Sequence, residues 1–172
     1  MSEDPIGFRS KDVNHYRYVS NNPLSFYDPM GLFTAVVFDC GNRNGSIYGG
    51  TVAIYGDNGS VTNVSGSIFP NNWGTGATRP GIQSGVYFAS YGSMAHRGGP
   101  GIIINGNDYV STNGSNPAQH GLSLANYIHV HMGDSGRNRG STGCVTTNPN
   151  QGNPFSGLSD GEQGVVIVMG CQ

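Results

Sequence analysis

Charged residues are scarce in this sequence. Its 172 residues include 8 Lys and Arg against 10 Asp and Glu, and the formal net charge is −2. After Leu32 the chain contains no lysine and only five arginines. A protein that binds nucleic acid usually presents a basic surface to the phosphate groups, so this composition argues against a nucleic-acid target.

Long apolar runs are also missing. No stretch of about 20 apolar residues occurs, and we therefore predict no insertion into a membrane. The chain opens with the polar segment MSEDPIGFRSKD, which does not resemble a secretory signal peptide. If the protein leaves the cell, we expect a larger assembly to carry it.

Cysteine is limited to three positions, Cys40, Cys144 and Cys171. An odd number allows either no disulfide or one bridge and one thiol. Cys40 and Cys171 each end an apolar, strand-like run, whereas Cys144 lies in a glycine-flanked loop. If a bridge forms, Cys40–Cys171 is the natural pair, and the alternative is that both remain reduced and buried.

Glycine, by contrast, is abundant, with 29 residues, and it separates strand-like segments. No segment shows sustained helical periodicity, and only residues 118–126 have a partly helical pattern, which a glycine interrupts. We predict a mainly β domain with little helix, a mostly antiparallel β-sandwich or barrel. The predicted strands lie within residues 34–40, 48–56, 60–69, 85–91, 101–110, 127–132 and 164–170.

The segment IHVHMGDSGRNRGSTGCVTTNP, residues 128–149, carries the candidate chemistry. His129 and His131 alternate on one strand, so their side chains share a face that we expect to be exposed, about 6.5–7 Å apart. Twelve residues separate His131 from Cys144, enough for the chain to turn and return beside that strand. We therefore expect a cysteine at the start of the return strand to face a histidine on the outgoing one, in an open groove.

A thiol needs help to act as a nucleophile, because the pKa of an ordinary cysteine is about 8.5 and little thiolate exists at neutral pH. A neighbouring imidazole can take the proton. We predict Cys144 as the nucleophile and His131 as its base. Gly143 lets the backbone turn so that amide N–H groups can face a developing oxyanion.

Other interpretations of these residues remain open. Cys144 can be a structural buried thiol, and Ser141 can be a turn hydroxyl. His129 and His131, with His96 or His120, can instead bind zinc. Arginines of the loop, Arg137 and Arg139, can meet carboxylates of a substrate or simply be solvated.

The first 32 residues differ from the rest and resemble the C-terminal end of the Rhs/YD-repeat core, the shell that encloses polymorphic toxins. The resemblance is carried by DPIGF, NHYRYVSNNP and DPMGL. It implies a first segment, 1–32, with an autocleavage motif, and a toxin domain, 33–172. The motif residues are Asp28, Pro29, Gly31 and Leu32.

The histidine and cysteine pattern resembles the active site of YkuD-type L,D-transpeptidases, in particular the effectors of this type delivered by type VI secretion. The matching catalytic residues are Cys144, His131, Ser141 and Gly143. Thr142 stands where many family members carry a histidine. The secondary or substrate-contacting positions are His129, His96, Gly133, Thr142 and Arg139.

This resemblance implies a target in the stem peptide of peptidoglycan, at the bond between a diaminopimelate-type residue and D-alanine. Water, a D-amino acid or the amine of another stem would resolve the acyl-enzyme, giving carboxypeptidase, exchange or transpeptidase activity. No metal or cofactor is implied. The implied partners are the Rhs shell, the secretion apparatus and a cognate immunity protein, and the implied site of action is the periplasm of a target bacterium.

Two alternatives for the function stay open. One is a Cys–His amidopeptidase of the NlpC or papain kind, although those enzymes place the cysteine before the histidine, at a helix N-terminus. The other is a non-catalytic β-sandwich that binds a glycan or a receptor.

Overall fold

A computed structural model describes residues 32–40, 47–69, 81–94, 99–116, 119–134 and 143–170. These residues belong to one compact unit, Gly31–Gln172. Leu32, the last residue of the predicted autocleavage motif, is the first described residue, and its side chain is exposed. The other motif residues, Asp28, Pro29 and Gly31, lie outside the described residues.

Eight strands close into a barrel, which confirms the predicted mainly β fold. Around the barrel their order is β1-β10-β4-β5-β8-β9-β3-β2, while β6 and β7 form a separate two-stranded sheet. The strands are β1 Phe33–Phe38, β2 Gly50–Tyr55, β3 Val61–Ser67, β4 Gly85–Ser93, β5 Pro100–Ile104, β6 Val110–Ser111, β7 Leu124–Ala125, β8 His129–Met132, β9 Val145–Thr147 and β10 Gln163–Met169.

The barrel is mostly antiparallel, as predicted. Six neighbouring pairs are antiparallel, and two, β1–β10 and β8–β9, are parallel. The expectation that β9 returns beside β8 in the opposite direction is wrong. The 12 residues between Met132 and Val145 are long enough for the crossover that a parallel pair requires.

Alternation along the strands builds the core. In β1, Phe33, Ala35 and Val37 are fully buried, whereas Thr34 and Val36 are only partly so. The buried side of β10 follows the same period of two, with Val166 and Val168 in the core. Successive side chains of a strand point to opposite faces, so one face of each strand fills the barrel.

Within the described ranges there is no α-helix, and 3-10 conformation occurs at Asn105–Asn107, at Pro149–Gln151 and at Gln119. The helical pattern suspected within 118–126 is replaced by a turn and by β7. His120 and Gly121 have φ angles of 53° and 83°, and this left-handed backbone cannot continue an α-helix. None of the helical segments in these ranges has the length and apolar character needed to cross a membrane.

The cysteines fall into two classes. Cys40, just after β1, is disulfide-bonded, whereas Cys144 is not part of a disulfide. Cys171, the predicted partner of Cys40, lies outside the described residues. The thiol that matters for chemistry is therefore Cys144.

Candidate active site

The parallel pairing of β8 with β9 brings a histidine and the cysteine to the same level. The register aligns Val130 with Val145 and His131 with Thr146. If this register is extended by one residue before the start of β9, the backbone of His129 is level with that of Cys144. His131, the predicted base, is paired with Thr146, two residues further along β8.

Strand alternation separates the polar side chains of this pair from the core. Val130 and Val145 belong to the hydrophobic core of the barrel. His129, His131 and Cys144 occupy the alternate positions, which lie on the other face of the strand pair. The two imidazoles thus share a face, as the spacing predicted.

This face is enclosed rather than open. His129 is 0% exposed, His131 2% and Cys144 6%. The expectation of an exposed face and an open groove is therefore wrong, because neighbouring segments cover the strand pair. Buried polar groups must be hydrogen-bonded to avoid a large desolvation cost.

Asn107 provides such a bond to His129. The Nε2 of His129 lies 2.7 Å from the Oδ1 of Asn107. A carbonyl oxygen only accepts hydrogen bonds, so Nε2–H donates and the neutral ring carries its lone pair on Nδ1. Sequence reasoning did not identify Asn107, since an Asn-Gly-Asn turn after a strand is explained by turn chemistry alone.

His131 holds the opposite tautomer. Its Nδ1 donates to the backbone carbonyl of Met132 at 2.7 Å, which leaves the lone pair on Nε2. His131 also lines a pocket of about 250 Å³. The other residues that line this pocket are Met94, Gly99, Pro100, Met132, Asn153 and Phe155.

The Cys144 thiol contacts the backbone of the loop before β8. Its Sγ–H donates to the carbonyl oxygen of Tyr127 at 3.6 Å. Tyr127 has a left-handed φ of 53°, and its N–H donates to the carbonyl of Asn107 at 3.3 Å. Gly143, directly before the cysteine, has a φ of 158°, a value that residues with a side chain rarely adopt.

The structure describes only some of the remaining predicted residues. Gly133 is buried, and its N–H donates to the carbonyl of Thr147 at 2.8 Å, which extends the β8–β9 pairing. His120 is exposed. The predicted residues His96, Arg139, Ser141 and Thr142 lie outside the described residues.

A zinc site would need three or more ligands brought together. Among the residues that the structure describes, no group of three His, Cys, Asp or Glu side chains could hold a metal ion. The described arrangement is thus one buried thiol, Cys144, and two buried imidazoles, His129 and His131, two residues apart on β8. Such a set can transfer a proton and form a covalent bond to a carbonyl carbon.

Comparisons with known proteins add no relative. The chain matches no family model, no curated protein and no solved structure.

Proposed function

We propose that the domain is a cysteine acyltransferase that acts on the stem peptide of peptidoglycan, with Cys144 as nucleophile and His129 as base. The observation that carries this proposal is the parallel register of β8 and β9, which sets His129 level with Cys144 when it is extended by one residue before β9. A base must lie within hydrogen-bond reach of the proton that it removes. On this basis we take His129, rather than His131, as the base in this proposal.

The reaction takes place in two steps. The thiol proton passes to Nδ1 of His129, and Sγ of Cys144 attacks the carbonyl carbon of the diaminopimelate-type residue. The C–N bond to D-alanine then breaks, and the imidazolium returns the proton to the departing amine. A thioester remains on Cys144, which water, a D-amino acid or the amine of a second stem resolves.

The substrate class is supported by the sequence pattern. The histidine strand followed by Ser141, Gly143 and Cys144 resembles the L,D-transpeptidase motif, and the first 32 residues resemble a toxin shell. Together they favour an effector that is secreted through a shell and acts in the periplasm of a target bacterium. A producer of such an effector needs an immunity protein, which we place over the Cys144 face.

The pocket beside His131 is suited to the non-reacting part of a stem peptide. It combines apolar side chains, Met94 and Phe155, with the amide of Asn153. A few polar groups in a mainly apolar cavity are typical of sites that orient a small ligand. His131 therefore contributes to substrate contact in this proposal, while His129 moves the proton.

The direct test uses the full chain and purified muropeptides with tetrapeptide stems. Wild type should release D-alanine or exchange it, as followed by mass spectrometry, and Cys144→Ala should leave the muropeptides unchanged. Cys144→Ser is the matched variant, because it keeps the size of the side chain and replaces the sulfur. Identical, unprocessed muropeptide profiles for wild type and Cys144→Ala would refute the proposal.

A second candidate is a non-catalytic barrel that binds a glycan or a receptor, and the burial of Cys144 favours it. A structural thiol reacts slowly, whereas an activated thiolate reacts with iodoacetamide even near pH 6. Site-resolved labelling of Cys144 at that pH therefore separates the two candidates. The cysteine of a Cys–His amidopeptidase would also be labelled by iodoacetamide, but that enzyme would cleave a different bond of the stem.

A further inference from the structure

We infer that Asn107 is a positioning residue that fixes the tautomer of His129 and the location of the carbonyl that contacts the Cys144 thiol. This inference rests on the proposed function, since it assigns a role around the same nucleophile. It is carried by the hydrogen bond between His129 and Asn107 and by the unusual turn that holds Asn107.

The turn is held in a left-handed conformation. Asn105, Gly106 and Asn107, which follow β5, have φ angles of 51°, 60° and 71°. Consecutive left-handed residues are disfavoured for any residue with a side chain, although asparagine tolerates them better than most. Such backbone persists only where surrounding contacts hold it, and it is concentrated at functional sites.

Local hydrogen bonds supply those contacts. The Nδ2 of Asn105 donates to the carbonyl of Tyr109 at 3.1 Å, and the N–H of Asp108 donates to the carbonyl of Asn105 at 3.0 Å. The turn is therefore fixed through Asn105. The side chain of Asn107 is used elsewhere, across 22 residues of sequence, on His129.

Asn107 contacts both sides of the reacting pair. Its Oδ1 accepts from Nε2–H of His129 at 2.7 Å. Its backbone carbonyl accepts from the N–H of Tyr127 at 3.3 Å, and the carbonyl of Tyr127 accepts from the Cys144 thiol at 3.6 Å. One residue thereby positions the imidazole and, through Tyr127, the sulfur.

The chemical consequence follows from the tautomer. A proton fixed on Nε2 leaves Nδ1 as the nitrogen that can take the proton of Cys144. When that transfer makes an imidazolium, Nε2–H⁺ to Oδ1 becomes a charge-assisted hydrogen bond, which is stronger than the neutral one. Asn107 thus favours both the correct starting state and the charged state of His129.

Three variants of the full chain test this role. Asn107→Gly removes the Oδ1 acceptor and still accepts a left-handed φ, so the turn survives. Asn105→Gly is the comparison in the same turn, because it removes the Nδ2 contact with Tyr109 and leaves the Oδ1 acceptor of Asn107 in place. Asn107→Asp keeps an oxygen acceptor for Nε2–H and is the conservative rescue.

The main readout is the rate at which iodoacetamide alkylates Cys144, measured by mass spectrometry on the peptide that contains it. We expect Asn107→Gly to slow this reaction by about 10²-fold, at the lower end of what a positioned base contributes. Asn107→Asp should retain the wild-type rate, and Asn105→Gly, which loosens the turn but keeps the acceptor, should slow the reaction less than Asn107→Gly. A wild-type rate in Asn107→Gly, or equal slowing in Asn105→Gly, would overturn the inference.

A spectroscopic readout on the wild-type chain does not depend on any variant folding. Long-range ¹H–¹⁵N correlation spectra of the histidine rings report which nitrogen carries the proton. We expect the Nε2–H form for His129 and the Nδ1–H form for His131. An Nδ1–H form for His129 would contradict the role assigned to Asn107.

The outcomes also separate this inference from the proposed function. If wild type processes muropeptides and Asn107→Gly does so equally well, the positioning role fails and the acyltransferase stands. If wild type leaves muropeptides untouched while Asn107→Gly still slows alkylation, the substrate assignment fails and the positioning of the thiol stands.

Discussion

The two parallel strand pairs of the barrel differ in what they bury. The β1–β10 pair has six registered positions and buries apolar side chains such as Phe33, Val37 and Val166. The β8–β9 pair has three registered positions and buries His129, His131 and Thr146. The same strand geometry thus supports an apolar core in one place and a polar site in the other.

The energetic consequences of the two pairs are opposite. Burying a large apolar side chain contributes about 1.5–3 kcal/mol, so the long β1–β10 pair stabilises the barrel. Burying a polar group costs free energy unless a hydrogen bond compensates for it. We therefore expect substitutions of the apolar residues of β1–β10 to change stability, and substitutions of the polar residues of β8–β9 to change reactivity.

The largest effect is expected for a substitution in the β8–β9 pair. His129→Gln should lower kcat on muropeptides by about 10²–10⁴-fold, because it removes the base beside Cys144. His131→Gln, two residues along the same strand, is the matched control and should raise KM more than it lowers kcat. Steady-state kinetics on stem peptides measure both, and a larger kcat loss in His131→Gln would reverse the assignment.

The next largest effect is expected in the β1–β10 pair, where a substitution should change stability alone. Phe33→Ala should lower the free energy of unfolding by about 3–5 kcal/mol, because it leaves a cavity in the core. Phe38→Ala, at the other end of β1 and 47% exposed, should change it by only about 0.5 kcal/mol. Urea denaturation of the full chain measures both, and similar losses would contradict the described core.

A smaller loss of stability is expected when a side chain is enlarged in the β1–β10 pair. A Cβ at Gly164 would overlap the carbonyl and the ring of Phe33. Gly164→Ala should therefore destabilise the barrel by about 1–3 kcal/mol. Gly99→Ala is the control, since a Cβ there meets nothing within 4 Å; equal melting temperatures for the two variants would argue against the β1–β10 packing.

The smallest expected effect is a change in stability at alkaline pH. Burial, and secondly the carboxylate of Asp160, raise the pKa of Tyr91 above its ordinary value of 10.0. The neutral phenol is therefore favoured in the folded state, and its contribution to stability is complete below the ordinary pKa and is lost as the pH rises through the raised value. Melting temperatures between about pH 9 and pH 11 should fall less steeply in Tyr91→Phe than in wild type.

Much of the fold could be predicted from sequence because strand alternation is local. Segments 34–40, 85–91 and 164–170 carry apolar side chains in patterns that indicate strands, and the structure places β1, β4 and β10 there. The direction of β9 relative to β8 could not be predicted, because alternation defines the faces of a strand and not the orientation of its neighbour. The proposed choice of His129 as the base depends on that orientation.

The site was predicted only in part for a related reason. His129, His131 and Cys144 were identified from their spacing and chemistry, which are local properties of the sequence. Asn107 acts across 22 residues of sequence, through a turn whose composition is explained without any function. The burial of Cys144 was predicted only as an alternative, since its glycine-rich neighbours are typical of an exposed loop.

Intact-mass analysis of an acyl-enzyme tests the central claim most directly. The full chain, mixed rapidly with a tetrapeptide-stem muropeptide and quenched in acid, should gain the mass of that muropeptide minus the mass of D-alanine. Peptide mapping should locate this thioester on Cys144, and His129→Gln should accumulate it far more slowly than His131→Gln. An unmodified Cys144 in wild type, together with release of D-alanine or any other stem product, would contradict the account.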